Sequence, residues 1–227
     1  LFLAMREPSY RARQLWTGLY DHLWKEPQDF TTFSSSLQSE LAKQLRFTPF
    51  STTRQVLSRD GLTRKDLHIL PDGPAIESVL MAYPGPNQSD RFTTCISSQA
   101  GCALGCVFCA TGQMGFKRNL SSGEIIAQVF HHARILRKEN QTLTNIVLMG
   151  MGEPLHNYQA TMEAIQRLND ERGFHFGARR FTISTAGIVP GILALSEEKL
   201  QINLDVSLHA IDDDQRSAMM PINRRYP

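Results

Sequence analysis

The sequence predicts an α/β fold in two parts: a small α+β accessory domain over residues 1–90 and a run of parallel βα units over residues 91–227. Two observations predict it. From Arg91 onward, short apolar runs of strand length alternate with segments of helical period, the signature of βα units in an open sheet or a barrel. Before Arg91 the rhythm differs, with two helical stretches followed by short extended pieces separated by turn sequences.

The first helical stretch is SYRARQLWTGLYDHLW, where Leu15, Leu19 and Leu23 recur with Trp16 and Tyr20 on one face. FSSSLQSELAKQL follows, with Ser34 placed to cap a helix whose apolar stripe is Leu37, Leu41 and Leu45. TTRQVLS, KDLHIL and AIESVLMAY then read as a β-ribbon, because RDGLT and PDGP between them are turn sequences. YPGPNQSD, Tyr83 to Asp90, reads as the linker. Beyond it the expected strands are Phe92 to Ser97, Asn145 to Gly150, Arg180 to Thr185 and Ile202 to His209. The expected helices are Ser121 to Lys138, Tyr158 to Asp170, Pro190 to Glu197 and Asp212 to Met219. A closed eight-stranded barrel takes roughly 250 residues, so this stretch of about 135 holds at most half of one. Parallel sheets of either kind bind ligands at the C-terminal ends of their strands. The cysteine loop, GMGEP, the serine of TIST and SLH all fall there.

The chain has 227 residues, 41% hydrophobic and 20% charged, ordinary values for a globular protein. A net charge of +2 does not by itself announce a nucleic-acid binder, so any such role must come from local groups. Candidates are Arg6/Arg11/Arg13, Lys117/Arg118, Arg179/Arg180 and Arg224/Arg225. No apolar run reaches the roughly 20 residues of a membrane helix, and LFLAM is too short for a signal-peptide core. The expected location is the cytoplasm, with no membrane partner, and the chain is expected to be a monomer. Both ends read as cut, since the chain does not start with Met and stops at NRRYP.

All four cysteines, Cys95, Cys102, Cys106 and Cys109, lie in CISSQAGCALGCVFCATGQ. Three are spaced C-x3-C-x2-C and the fourth stands seven residues upstream. Without a secretory signal, clustered thiols favour metal or redox chemistry over disulfides. A structural zinc would use Cys95 as fourth ligand, but zinc sites usually bring two short pairs from separate places. A ferredoxin-type cluster needs a fourth distant cysteine, and none follows Cys109. Three thiolates on a four-iron cluster leave one iron open to substrate. Gly101, Gly105 and Gly112 allow the backbone to fold closely around such a group. Phe108 is either a shield for it or a core aromatic.

CALGCVFC closely resembles the signature of the radical S-adenosylmethionine (radical-SAM) superfamily, C-x3-C-x-aromatic-C after the first barrel strand. The likeness narrows over CISSQAGCALGCVFCATGQMGFKRNLSSGEI, VLMGMGEPLHN, TISTAGIVPGI, SLHA, MPINRRY and PSYRARQLWTGLY, which together resemble RlmN-type adenine-C2 methyltransferases along nearly the whole chain. The resemblance implies a partial (β/α)6 barrel, of which about four βα units are present, behind an N-terminal accessory domain. It implies methylation of C2 of an adenosine in 23S rRNA and of a tRNA adenosine beside the anticodon. The sister Cfr-type enzymes methylate C8 and tend to carry GEA where this chain has Gly152-Glu153-Pro154, which favours C2.

By the same resemblance, Cys102, Cys106 and Cys109 hold a [4Fe-4S] cluster whose fourth iron is chelated by SAM. Gly152, Glu153, Ser184, Ser207, Leu208 and His209 contact SAM, with Gly152 letting the backbone approach and Glu153 accepting a hydrogen bond from the amino group. Two SAM molecules are used per turnover, one to methylate a C-terminal cysteine and one to supply the radical that activates that methyl group. Cys95 is then catalytic and resolves the protein–RNA adduct through a disulfide, and Glu77 accepts a proton. A reductant protein such as flavodoxin or ferredoxin supplies the electron. The methyl-carrying cysteine is absent from the residues given, so this chain alone is expected not to complete methyl transfer. Two readings from other classes stand beside this one: a C8 enzyme, and a non-catalytic, metal-stabilised RNA-binding module.

Overall fold

A computed structural model describes residues 1–86 and 90–227; the Asn87–Ser89 part of the expected linker lies outside the described residues. The N-terminal unit begins with α1 (Tyr10–Tyr20) and α2 (Ser35–Gln44). Ser34 caps α2, its hydroxyl accepting from the Leu37 N–H at 3.3 Å. The expected first helix stops at Tyr20, four residues before Trp24. Leu23 has φ +58°, a left-handed backbone that no helix continues, although its side chain is buried. Phe2, Leu15, Phe30, Phe33, Leu37 and Leu41 form a small core of their own. Tyr20 packs edge-on against Phe130, and Arg134 donates to the carbonyls of Leu23 (2.6 Å) and Trp24 (3.1 Å), tying this unit to the rest.

The ribbon strands β1 (Thr52–Leu57), β2 (Thr63–Ile69) and β3 (Ala75–Tyr83) form an antiparallel meander. β3 then pairs antiparallel with β4 (Arg91–Cys95), placing Val79 opposite Cys95. After β4 come a two-stranded ribbon, β5 (Gln99–Gly101) with β6 (Phe116–Asn119), and the short helix α3 (Ala110–Gln113) between them. This ribbon was not expected from the sequence: its strands have 3 and 4 residues, too few for alternation to show. The parallel strands β7 (Asn145–Leu148), β8 (Phe181–Thr185) and β9 (Asn203–Val206) continue beyond β4, so one mixed sheet runs β1-β2-β3-β4-β7-β8-β9.

Helices α4 (Ser122–Lys138), α5 (Tyr158–Asn169), α6 (Val189–Ser196) and α7 (Asp213–Met219) follow the four parallel strands in turn, as the four expected βα units. Three of the four strands end earlier than expected, because residues 96–97, 149–150 and 207–209 leave the ladder to form loops, while β8 ends at Thr185 as expected. Ser121 and Glu124 make a reciprocal capping box at the start of α4 (Glu124 Oε2 accepts from Ser121 N–H at 2.8 Å), which fixes where the helix begins.

Burial alternates along the parallel strands. Ile146, Leu148, Phe181 and Ile183 are buried with Ile125, Val129 and Leu136 of α4 and Ile165 and Leu168 of α5 in one core. The opposite face carries Val147, Thr182 and Ser184, all only partly buried. A parallel sheet with one face uncovered presents that face, and the loops at its C-terminal rim, to ligand. Among the described residues no helix is long and apolar enough to cross a membrane.

Candidate active site at the C-terminal rim of the sheet

Cys102, Cys106 and Cys109 lie on the loop between β5 and α3, with Cys102 and Cys106 buried and Cys109 partly so. The loop is laced to its surroundings: Cys102 N–H donates to Gly115 C=O (3.2 Å), and Cys106 C=O accepts from Cys109 N–H (3.1 Å) and Gln113 Nε2 (3.2 Å). Gly101 is required before it. Its φ is +75°, and a Cβ there would lie 1.9 Å from the Gly115 carbonyl oxygen.

Burial raises the Cys102 and Cys106 thiols, and the charges of their neighbours add to it: Cys106, Cys109 and Glu153 for Cys102, Cys109 and Glu153 for Cys106. The three thiols and Glu153 therefore share one small region. Three thiolates are one short of a closed four-ligand zinc site, and they are the set that leaves one iron of a four-iron cluster open. Phe108 is 49% exposed, not a core aromatic, and packs against the His209 ring at 4.7 Å.

Glu153 is 3% exposed. Its Oε1 accepts from Leu155 N–H (3.1 Å) and its Oε2 from Ala186 N–H (2.8 Å). A carboxylate offers about four lone-pair sites, so two remain for a ligand. Gly152 has φ +98°, and a Cβ on it would sit 2.5 Å from Gln99 Cβ. The crowding that demands glycine here comes from Gln99, whose Oε1 also accepts from Glu153 N–H (2.9 Å). The expected approach of backbone to SAM is a separate matter that this contact does not supply.

Ser184 Oγ and Ser207 Oγ are 3.2 Å apart, joining the ends of β8 and β9. Leu208 is 61% exposed, and His209 has φ +60°, a strained backbone for a residue with a side chain. Cys95 ends β4 on the uncovered face, between Val79 and Val147. Glu77 lies two places along β3 from Val79, hence on the same face and diagonal to Cys95, with its carboxylate 2.7 Å from Lys65 Nζ. The structure thus places Glu77, Cys95 and Ser184 on one sheet face, and the three thiols, Gly152, Glu153, Ser207, Leu208 and His209 on loops at its rim.

Burial pushes the Cys95 thiol up to about 11, against a backbone hydrogen bond from Met149. Against an ordinary value of 9.0, this lowers the thiolate fraction roughly 100-fold below pH 9. The more basic thiolate is also more nucleophilic, which returns roughly tenfold. Cys95 should therefore react about tenfold more slowly than free cysteine with an aromatic disulfide at pH 8, and its rate should climb until about pH 11. Peptide-resolved mass spectrometry measures this, and a plateau near pH 9 would contradict it.

The residue that sequence reading missed is Arg216, on α7 and 6% exposed. Its Nε donates to Leu208 C=O (3.1 Å), its Nη2 to Ala186 C=O (2.7 Å) and Ser207 C=O (3.4 Å), and its Nη1 to Tyr226 C=O (3.4 Å) and Asn223 Oδ1. Each of the five N–H groups has an acceptor. The Ala186 N–H donates to Glu153 and the Ala186 C=O accepts from Arg216, which also bonds Ser207 and Leu208, so the loops after β7, β8 and β9 are one hydrogen-bonded unit. An arginine in a polar stretch such as DDDQRSAMM gives no sequence signal of burial. Arg118, by contrast, was a candidate for reaching RNA phosphates. It is instead committed to Asp72 (2.6 and 2.8 Å) and Glu124 (2.8 and 2.9 Å), which raise its pKa.

Comparison with known proteins decides the family. The pattern of the Radical SAM superfamily matches residues 96–227. The chain is 50% identical over 229 residues to a probable dual-specificity RNA methyltransferase RlmN of Chloroflexus aurantiacus, covering 97% of this chain and 58% of that protein. The chain belongs to the radical SAM superfamily. It is 48% identical to dual-specificity RNA methyltransferase RlmN 1 of Myxococcus xanthus, over 96% of this chain and 59% of that one. The crystal structure of a radical SAM methyltransferase from Sphaerobacter thermophilus superposes with a TM-score of 0.94 at 49% identity, covering 100% of this chain and 65% of that chain. The chain thus spans about three fifths of the length of these RlmN-type relatives. The α/β fold that the resemblance implies, a partial barrel, is the fold found, and the radical SAM family implies a [4Fe-4S] cluster and SAM.

Proposed function

We propose that the protein is a SAM-dependent RNA methyltransferase that acts on C2 of an adenosine in 23S rRNA and of a tRNA adenosine, in the cytoplasm. The observation that carries this reading is the convergence of three buried or half-buried thiols with Glu153 at the rim of an uncovered parallel-sheet face. Cys102, Cys106 and Cys109 would hold the cluster, which supplies one-electron reductive cleavage of SAM when both are bound.

The chain's own residues do the positioning. Glu153 is fixed by two backbone N–H donors and has lone pairs left to orient an ammonium group. The paired hydroxyls of Ser184 and Ser207 offer hydrogen bonds to a ribose or carboxylate, and Gly152, Leu208 and His209 complete the rim. Cys95 sits on the sheet face as a protonated thiol at neutral pH, ready to give a proton or to form a bond once deprotonated. Glu77, diagonal to Cys95 on the neighbouring strand, is the acceptor for a proton released there. The partners are RNA and a reductant protein, with the chain a monomer. The C2 rather than C8 assignment rests on Pro154 after Gly152-Glu153, and the use of two SAM molecules follows from the family chemistry.

Anaerobic reconstitution with iron and sulfide, followed by reduction and electron paramagnetic resonance, tests this reading. A four-iron signal that shifts on adding SAM is expected. Tightly bound zinc in place of a cluster, in folded protein, would overturn it in favour of an RNA-binding module.

A further inference from the structure

On the far side of the sheet, away from the cysteine loop, β2 and α4 bring together two histidines and a carboxylate that the methylation chemistry does not use. Asp66 and His132 are both fully buried, and the His131 side chain is 27% exposed. Asp66 Oδ2 lies 3.0 Å from His132 Nε2, and Asp66 Oδ1 lies 3.3 Å from His131 Nε2. These ligand atoms all lie within 4.8 Å of one another, a property no other such group has among the described residues. We propose that Asp66, His131 and His132 form a binding site for a divalent transition-metal ion, zinc being the best fit.

Three observations support it. The first is convergence: a carboxylate from one strand and two imidazoles from one helix bring their ligand atoms into a region small enough for one ion, and two of the three side chains are fully buried.

The second is an unmet valence. His131 Nε2 is itself buried and makes no hydrogen bond, although Asp66 Oδ1 lies 3.3 Å from it. Bonds of about 2.0–2.1 Å to a tetrahedral ion set neighbouring ligand atoms roughly 3.3 Å apart; each Asp66 oxygen lies 3.0–3.3 Å from one imidazole nitrogen. Imidazole and carboxylate donors suit zinc and its first-row neighbours.

The third is the support around the ligands. His132 Nδ1 is 2.6 Å from Thr94 Oγ1, so a proton on Nδ1 leaves the Nε2 lone pair facing Asp66. Gln55 Nε2 donates to Asp66 Oδ1 (3.2 Å), and Ser78 Oγ lies 3.4 Å from His132 Nε2. His68 is no ligand, because Thr53 and Ser78 hold both its ring nitrogens. A cavity of about 540 Å³, lined by Thr53, Phe50, Glu124 and Arg134 among others, reaches His131 and gives an ion its path in.

The thiols also bind metals, so the test must separate the two sites. Cobalt(II) titrations of the wild-type chain and of His131→Ala, under anaerobic conditions, do this. Thiolate ligands give near-ultraviolet charge-transfer bands, and a histidine–carboxylate site gives visible d–d bands alone. The wild type should bind one more equivalent than His131→Ala, and the difference spectrum should show only d–d bands, lost again on adding zinc. Asp66→Asn should lose the same equivalent. His131→Ala gives up no hydrogen bond of its imidazole, and circular dichroism checks its fold. Zinc at 100 times its Kd should raise the wild-type Tm by roughly 5–10 °C more than that of His131→Ala. Equal stoichiometry and superimposable spectra for folded wild type and His131→Ala would overturn the proposal.

Discussion

Replacing Arg216 by methionine is expected to destabilise the fold by about 3 kcal/mol, and to loosen residues 207–226 before anything else. The guanidinium is a buried charge solvated by protein alone, and among the described residues no carboxylate pairs with it. Two of its acceptors, Ala186 C=O and Asn223 Oδ1, are on buried residues, where each stranded acceptor costs about 1–3 kcal/mol. The other three, on Ser207, Leu208 and Tyr226, are near enough to solvent for water to replace the arginine. Relief of the arginine's own desolvation offsets part of the loss, so the total stays near 3 kcal/mol rather than the sum of five bonds. Arg216→Lys should rescue little, because three donors on one nitrogen cannot reach five acceptors spread over three loops. Urea unfolding gives the magnitude and hydrogen exchange gives the location. A variant within about 0.5 kcal/mol of wild type, a difference usual for surface substitutions, would show that the network is decoration.

The parts of the fold that the sequence disclosed are those where one periodicity runs long enough to read. α4, with Ser121 and Glu124 three apart at its start and a long apolar stripe, was legible to within a residue. The β-ribbon was legible because RDGLT and PDGP mark its turns, and Gly61 and Gly73 there both have positive φ. The β5–β6 ribbon was not, since a three-residue strand carries no pattern. Within the site, the thiols were legible from spacing and the rim residues from resemblance. What the sequence could not disclose is what holds the rim together. Arg216, Gln99 and Asn223 act by reaching polypeptide far along the chain, and their residue types are commonest on surfaces. The same blindness covers Asp66 with His131 and His132: the carboxylate is 65 residues from the nearer imidazole, and only the packing of β2 under α4 brings them together.

Cys106→Ala should cut the iron held after reconstitution from about four per chain to well under one, whereas Cys95→Ala should keep nearly all of it. The contrast separates three-thiol ligation from four-thiol ligation, which spacing alone leaves open. Cys106 is buried in the loop, feels the charge of Cys109, and raises Cys102 in turn. Cys95 stands apart. It ends β4 on the sheet face, and burial with one backbone hydrogen bond accounts for its shift, with no contribution from another thiol. A cluster resting on two thiolates exchanges its irons readily, so one lost ligand empties the site. Removing a sulfur of this size from a loop position costs only on the order of 1 kcal/mol of packing, so the fold should survive and circular dichroism should be unchanged. If Cys95→Ala loses as much iron as Cys106→Ala, then Cys95 is a ligand. The site would then be closed, leaving no iron for SAM to occupy. If it keeps its iron, Cys95 is a thiol on the sheet face beside Glu77 that the cluster does not use, and a role for it in the chemistry follows from its placement.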